Sequence, residues 1–332
     1  MNLNLKSSLF INESLSLKNR VVVPPMASGT ATKDGFVTTD TINHYERLAG
    51  SRASLVMVEY TYISPDGKSE ANQLGIDKDE QIDGLKKLSQ AIHNQGAASA
   101  IQLTHSGAKS SRSLTNGRLI SPSGVKVPTK ADELEVPDEV SDADIEEIKK
   151  SFLRAAKRAH VAGFNIIELH SAHGYGLNQW LSPITNKRTD IYGGSMKNRS
   201  RILLEIINLI KAHIPEVIMS VRIPGQDHFM GGLNHEDTSA LALNLEKTGV
   251  DIINVSSGIG GWRRPRSRYG EGYLVDDAEI ISRDLSIPVI GVGGIKTPQY
   301  INESLSKSRF SLAAVGRVIL NDPTWGLNVG LS

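Results

Sequence analysis

Two histidines three residues apart, followed at once by a tyrosine, occur in His170-Ser-Ala-His-Gly-Tyr175. The stretch that follows, through Asn186, Lys187, Arg188, Asp190, Tyr192 and Gly193-Gly194, is too polar for a core and too specific in its order for a solvated face. A neutral imidazole donates one N–H. Brought together, His170 and His173 can both donate to one oxygen, polarising a carbonyl and holding the negative charge that develops on it. Tyr175 adds a phenol, a weak acid suited to delivering one proton. Two plainer readings stay open. The histidines can be hydrogen-bonded structural residues, or they can ligate zinc with Glu168 as the near third ligand, although no recognised zinc spacing follows.

A second constellation suits a phosphate. Gly291-Val-Gly-Gly294 and Gly316-Arg317 place glycines where backbone N–H groups can face an anion, with a forked cation beside them. The competing reading is that the glycines only make tight turns. Gln102 and Arg222 fall between the two constellations. An amide pairs with a ring imide, and a guanidinium holds negative charge on an electron-rich ring, so together these residues suggest a phosphorylated heterocycle. A third feature is Gly260-Gly-Trp-Arg-Arg-Pro-Arg-Ser-Arg-Tyr269, with four arginines in six positions. It is either an anion-binding loop for the phosphates of a cofactor or substrate, or a solvated basic loop.

These residues need elements to position them. β-branched runs recur at Val21–Val23, Leu55–Glu59, Ala98–Leu103, Asn165–His170, Ile218–Arg222, Ile252–Ser256, Ile287–Gly291 and Leu312–Gly316. Helical periods fall at about 40–49, 79–95, 142–162, 197–213, 236–248, 276–284 and 297–306, with a short one near the C-terminus. The clearest begins at the Ser141/Asp144 capping box, carries a stripe of Ile145, Ile148, Phe152, Ala155, Ala156 and Ala159, and ends at Gly163. Eight alternations admit a closed (β/α)8 barrel or an open doubly wound sheet. Glu59, Gln102, His170 and Arg222 all sit at or near strand ends. A barrel gathers such residues around one mouth, an open sheet scatters them along an edge, and no G-x-G-x-x-G follows the first strand. The expectation is an α/β fold, a single (β/α)8 TIM barrel over residues 1–332. It has a lead-in at about 1–18 and long loops at about 104–140 and 257–275. In residues 165–170, Glu168 and His170 should face inward and Ile167 and Leu169 outward. A helical turn after the strand would then bring His173 to His170.

Of the 332 residues, 39% are hydrophobic and 22% charged, and the net charge is +1, so nothing argues for nucleic acid or an anionic membrane. There are no cysteines, which excludes disulfides, thiolate metal sites and a thiol nucleophile. The N-terminus lacks the apolar stretch of a signal peptide, and no run approaches the ~18 apolar residues of a membrane span. The expectation is a soluble, cytoplasmic protein acting on a small molecule, compatible with a homo-oligomer.

At these residues the chain closely resembles the old yellow enzyme family of FMN-dependent ene-reductases. The resemblance is carried by His-Ser-Ala-His-Gly-Tyr, Leu-Ser-Pro-Ile-Thr-Asn-Lys-Arg-Thr-Asp and Tyr-Gly-Gly-Ser within 170–195, by Leu17-Lys-Asn-Arg-Val-Val-Val-Pro-Pro-Met26, and by Ile101-Gln-Leu-Thr-His-Ser-Gly107. Gly291-Val-Gly-Gly and Gly316-Arg317 follow in the same order. The resemblance implies a (β/α)8 barrel with FMN at the mouth, reduced by NADH or NADPH and passing hydride to the β-carbon of an α,β-unsaturated carbonyl or nitro compound. By position it implies that His170 and His173 hold the substrate oxygen and Tyr175 protonates the α-carbon. Gln102 and Arg222 would contact the flavin pyrimidine, and Pro25, Met26 and Ala27 would pass beside the ring. Gly293, Gly294, Gly316 and Arg317 would cradle the phosphate, and no metal is expected. Arg188, Asp190 and Tyr192 would brace the loop, with Ser195 capping the next helix.

The chain departs from the family pattern at several positions. Ala27 stands where Thr or Cys usually tunes the flavin, and Gly29 where one subgroup has Tyr. Gly176 replaces the usual Leu, and Ala108 the frequent Arg. The subgroup's Arg-bearing tail is not expected after Trp325, and the cysteine-free composition and length exclude the Fe–S-bearing branch. Two alternatives remain: a flavin-free phosphate-binding lyase or isomerase, and a flavin binder with weak reductase activity, the latter favoured by Ala27 and Gly29.

Overall fold

A computed structural model describes residues 3–128, 134–262 and 264–332. Eight strands pair in parallel and in chain order: β1 (Val21–Val23), β2 (Leu55–Tyr62), β3 (Ala98–Thr104), β4 (Ile166–His170), β5 (Ile218–Pro224), β6 (Ile252–Ser256), β7 (Val289–Gly291) and β8 (Leu312–Ala314). β8 then pairs with β1, Ala313 opposite Val21, and the sheet closes into a (β/α)8 barrel. Closure decides between the two architectures that the alternation admitted. It removes both sheet edges and turns the strands' alternation into an inside and an outside.

Inside, Val22, Met57, Ala100, Ile166, Ile218, Ile252, Ile290 and Leu312 form one apolar cluster. Outside, Val21, Val23, Ile167, Leu169 and their counterparts pack under the helices in the larger core. The helices are α1 (Thr39–Ala49), α2 (Ile82–Asn94), α3 (Asp142–Val161), α4 (Arg201–His213), α5 (His235–Lys247), α6 (Val275–Ser282), α7 (Pro298–Ser306) and α8 (Arg317–Asn321). In α3 the Ser141 hydroxyl accepts from the Asp144 amide while the Asp144 carboxylate accepts from the Ser141 amide at 2.8 Å, the reciprocal cap that the spacing predicts. Gly163 ends the segment at φ +81°.

At the N-terminal end of the barrel, Leu9–Asn12 and Leu15–Leu17 form an antiparallel hairpin. Its Leu9, Ile11, Leu15 and Leu17 pack on the interior cluster and close that end. The other end, where the strands terminate, stays open to the loops. Strand limits agree with the sequence reading at β1 and β6 and differ by one to three residues elsewhere, β3 and β5 running on to Thr104 and Pro224 and β4 starting at Ile166. β7 starts only at Val289, because Pro288 has no amide to give the ladder. β8 stops at Ala314, before the Gly316 turn, and β2 continues past Glu59 to Tyr62 through a bulge between Val58 and Tyr60. The long loop after β3 carries a short ladder, Ile120–Ser121 with Asp138–Glu139. Among the described residues no helix is long and apolar enough to cross a membrane.

Candidate active site

The barrel interior changes character just below the open mouth. Glu168 points inward, as alternation requires, and is fully buried. Its carboxylate accepts from Gln102 Nε2 at 2.7 Å, Ser220 Oγ at 2.8 Å and Asn254 Nδ2 at 2.9 Å. Four adjacent strands, β3 to β6, thus share one carboxylate. Burial raises its pKa, while Arg222 and the three donors oppose that rise. With its oxygens engaged there, Glu168 does not join the histidines as a third ligand, and among the described residues no cluster of three His, Asp or Glu side chains is arranged to hold a metal ion.

Above this layer β4 ends at His170, and the chain does not turn helically. His173 itself takes φ +60° and Gly174 φ +76°, a left-handed turn that replaces the expected helical one. The outcome is the same: the imidazoles of His170 and His173 lie with ring centroids 5.0 Å apart, edge to face. The His173 amide donates to the Ser257 carbonyl at 3.2 Å and the Gly174 amide to Asn178 Oδ1 at 2.8 Å, so neighbouring hydrogen bonds hold the strained turn. His173 Nε2 lies 2.7 Å from Ser256 Oγ, which also accepts from Arg222 Nη2 at 3.3 Å. His170 Nδ1 and Arg222 Nε are buried and have no hydrogen-bond partner among the described residues. Burial, and after it the charges of Arg222 and Lys109, push both histidines well below their usual pKa. Both rings are therefore neutral near pH 7, the form that donates one N–H and accepts at the other nitrogen.

Tyr175 follows as the N-cap of a short buried helix, Gly176–Leu181. Its ring centroid is 4.9 Å from that of His170 and 5.3 Å from that of Tyr60. Burial and the nearby Glu70 charge push its phenol up to about 12, so it carries its proton throughout the neutral range. Lys109 Nζ sits 4.2 Å from the Tyr175 ring centroid and donates to the His173 carbonyl at 2.8 Å. Burial pushes this lysine down to about 8. Gln179 sets its position, accepting from the Ala108 amide at 2.9 Å and donating to the carbonyls of Ser106 and Gly174. A Cβ at Gly176 would lie 2.7 Å from the His105 carbonyl oxygen, so the close clasp between these two loops explains glycine after the tyrosine.

On the opposite side, Gly293 takes φ +120° and Gly294 φ +71°. The guanidinium of the exposed Arg317 reaches over Gly294, passing 3.3 Å from where its Cβ would be. Gly316 lies against Pro24 and Met26 in the loop after β1, which places that segment beside the glycines. Ala27 is exposed at the rim, and Ser28 ties the loop to Glu59 at 2.7 Å.

Residues 10–330 match the NADH:flavin oxidoreductase / NADH oxidase family. An NADPH dehydrogenase of Halalkalibacterium halodurans is 38% identical over 319 residues, 96% of this chain and 91% of the relative. The chain belongs to the old yellow enzyme family. Morphinone reductase superposes with a TM-score of 0.83 at 27% identity, covering 100% of this chain and 91% of that one. A 2-naphthoyl-CoA reductase superposes with a TM-score of 0.92 at 23% identity, but this chain covers 99% of itself and only 52% of that longer protein, so this likeness carries the fold alone. The chain is thus an NAD(P)H-dependent flavin oxidoreductase with FMN as cofactor, and the flavin-free lyase or isomerase reading falls.

The old yellow enzyme residues present here fit that cofactor. The unpartnered Nε of Arg222 and the nearby Gln102 supply donors for a polar ring edge, and the amides of the Gly293-Gly294 turn with Arg317 suit a phosphate. Pro25 and Met26, both partly buried, and the exposed Ala27 line the way between. Pro25, Met26, Ala27, His173, Tyr175, Gly293, Gly294 and Gly316 lie in the loops after the strands and His170 at the end of β4, while Gln102 and Arg222 lie two residues inside the ends of β3 and β5 and Arg317 opens α8. The bracing residues behave as anticipated: Arg188 donates to the carbonyls of Pro122 and Val140, Tyr192 donates to Glu205 at 3.0 Å, and Ser195 accepts from the Asn198 amide.

The arginine-rich loop divides. Arg268 is structural, paired with the buried Asp277 at 2.8 Å. Arg264 lies over the Tyr269 ring at 4.6 Å, Arg266 is exposed, and Arg263 falls outside the described residues. Sequence reasoning missed Lys109, Gln179 and Tyr60. Lys109 stands just beyond the His105-Ser-Gly107 stretch, and Tyr60 lies at a strand tip, so their positions were readable, but nothing in the sequence tied them to Tyr175.

Proposed function

We propose that this protein reduces activated alkenes, α,β-unsaturated carbonyl or nitro compounds, with NAD(P)H as the electron source. FMN, when bound, would supply the redox chemistry, hydride transfer from NAD(P)H to the alkene β-carbon. His170 and His173 hold the acceptor's oxygen, and as neutral donors they stabilise the negative charge that grows there. Tyr175 donates the proton that the α-carbon takes. Gln102 and Arg222 would orient the cofactor's ring, and Gly293, Gly294, Gly316 and Arg317 would hold its phosphate, with Pro25, Met26 and Ala27 beside the ring. The observation that carries this reading is the convergence of a second buried imidazole, His173, and the Tyr175 phenol on His170, each with its ring centroid within 5.0 Å of that ring, above a carboxylate already satisfied by its own barrel partners.

The test is stopped-flow kinetics of the two half-reactions, reduction by NADPH or NADH and reoxidation by cyclohexenone. Tyr175→Phe is expected to slow reoxidation by about 10²–10⁴-fold and to leave reduction unchanged. Equal losses in both steps overturn the proton-donor role. A wild-type protein that reduces readily but is not reoxidised by enones, nitroalkenes or quinones supports the flavin binder of weak activity instead.

A further inference from the structure

One charged group at the mouth has no task in the reading above. Lys109 stands in the loop after β3 and is partly exposed. Its backbone is fixed from both sides. The Ala108 amide donates to Gln179 Oε1 at 2.9 Å, the Lys109 amide to the Ser106 carbonyl at 3.1 Å, and the Ser110 hydroxyl to the Lys68 carbonyl at 2.7 Å. The side chain reaches to the tyrosine and the histidine turn. Nζ lies 4.2 Å from the Tyr175 ring centroid and gives one of its three donors to the His173 carbonyl at 2.8 Å. The Tyr60 ring, 5.3 Å from that of Tyr175, adds a second aromatic wall on this side. The other buried charges are already matched: Glu168 is held by Gln102, Ser220 and Asn254 and offsets the charge of Arg222. Among the described residues no carboxylate is paired with Lys109, and the Glu70 charge acts on it only across a distance.

An ammonium largely out of water and short of a counter-ion favours an anion in the space beside it. We propose that Lys109 is the counter-ion for a carboxylate on the acceptor, so that the preferred substrates are activated alkenes carrying an anionic group away from the reacting double bond; this names the substrate class of the same site and rests on the alkene reduction proposed above. His170 and His173 take the carbonyl or nitro oxygen, and the carboxylate meets the N–H donors of Lys109 that the His173 carbonyl leaves free. A lysine is a compact point charge, which suits a carboxylate. The hydrogen bond to His173 fixes where that charge sits relative to the acceptor's oxygen. The titratable and charged groups around Lys109 are Tyr175 and Tyr60, Glu70 of the loop after β2, His170 of β4 and His173 in the turn beyond it, with Arg222 of β5 behind the histidines.

The experiment uses cyclohex-2-enones bearing a carboxylate at ring C4 or C5, each beside its methyl ester, so that the two acceptors share a reacting group and differ in charge. The readout is the acid-to-ester ratio of kcat/KM in holoenzyme. Any misplacement of His173 or Tyr175 strikes acid and ester alike and cancels in that ratio. Wild type should favour the acid, and in Lys109→Met the ratio should fall about 10–100-fold, the range of one charged hydrogen bond, chiefly through KM. Independently of turnover, the saturated ketones of the same pair, which lack the double bond, should show the same loss in Kd when titrated against flavin absorbance. In wild type the preference should decline as pH rises through about 8, where the ammonium gives up its proton. Lys109→Arg should keep the preference and lose the decline. A ratio that Lys109→Met leaves unchanged overturns the assignment. So does a wild-type ratio that stays flat as pH rises, a measurement that needs no variant to fold. Wild type that reduces the ester without preferring the acid overturns this inference alone, whereas wild type that reduces neither overturns the alkene-reductase reading with it.

Discussion

The two sides of the barrel mouth solve different problems by different means. From β3 to β6 the strands run five to seven residues, and their tips carry side chains that bond to one another: Gln102, Glu168, Ser220 and Asn254 in one layer, His173, Ser256 and Arg222 above it. At β7 and β8 the strands are three residues long, and the chemistry lies in backbone turned outward by Gly293 and Gly294, with one exposed Arg317. A reacting oxygen needs a few donors at fixed points, which takes buried side chains locked by neighbours. A phosphate needs many donors of modest precision, which successive amides supply. The first side should therefore fail when a buried partner is removed, and the second when charge or backbone freedom is lost.

The largest effect should come from the buried layer. Glu168→Leu leaves three donors without their acceptor, at about 1–3 kcal/mol each, and should lower the unfolding free energy by at least about 3 kcal/mol. Denaturant melts of Glu168→Leu against Glu168→Gln measure it. Equal stability in both would mean that the layer does not depend on its carboxylate.

Next comes the pH response of the histidine pair. Both folded-state pKa values lie below that of the unfolded chain, so below about pH 6.5 the unfolded state binds protons that the folded state refuses. Stability is then complete above that pH and falls as pH drops, by up to about 1.4 kcal/mol per pH unit for each ring. His170→Gln with His173→Gln should flatten the melting temperature between pH 7 and pH 5. An unchanged slope would assign the response to other groups, His44 among them, whose pKa burial also lowers.

On the phosphate side, Arg317→Ala should weaken FMN binding about 10–100-fold, the range of one charged hydrogen-bond donor, without moving the apoprotein's melting temperature. Fluorescence titration of apoprotein with FMN reads it, and an undiminished affinity would leave the cradle to backbone alone. The smallest effect belongs to the basic loop. Arg264→Ala with Arg266→Ala should raise KM for NADPH or for an anionic substrate several-fold, about 1 kcal/mol for exposed charges. Arg268→Ala should instead destabilise the loop through Asp277. Unchanged KM values for both ligands would make the exposed arginines a solvated surface.

Much of this architecture is legible in the order of residues. The β-branched runs locate eight strands, the capping box of Ser141 and Asp144 locates α3, and inward Glu168 against outward Ile167 follows from alternation alone. The turn that joins the histidines is not legible there. A non-glycine residue at φ +60° has no local signature, and the turn is held by the Ser257 carbonyl from beyond β6 on the His173 amide, with Asn178 four residues on accepting from Gly174. The arginine loop reads as four equal cations, and only contacts with Asp277 and Tyr269 distinguish Arg268 and Arg264.

By itself the sequence determined the alternation of elements, the apolar inside and outside of each strand, and the types of group offered at the strand tips, because these depend on periodicity and local backbone preference. The tertiary structure alone decided that Lys109 and Tyr60 converge on Tyr175, and that both imidazoles are neutral. Each of these depends on what lies opposite a residue across the barrel, and burial and proximity between strands far apart in the chain leave no trace in local spacing.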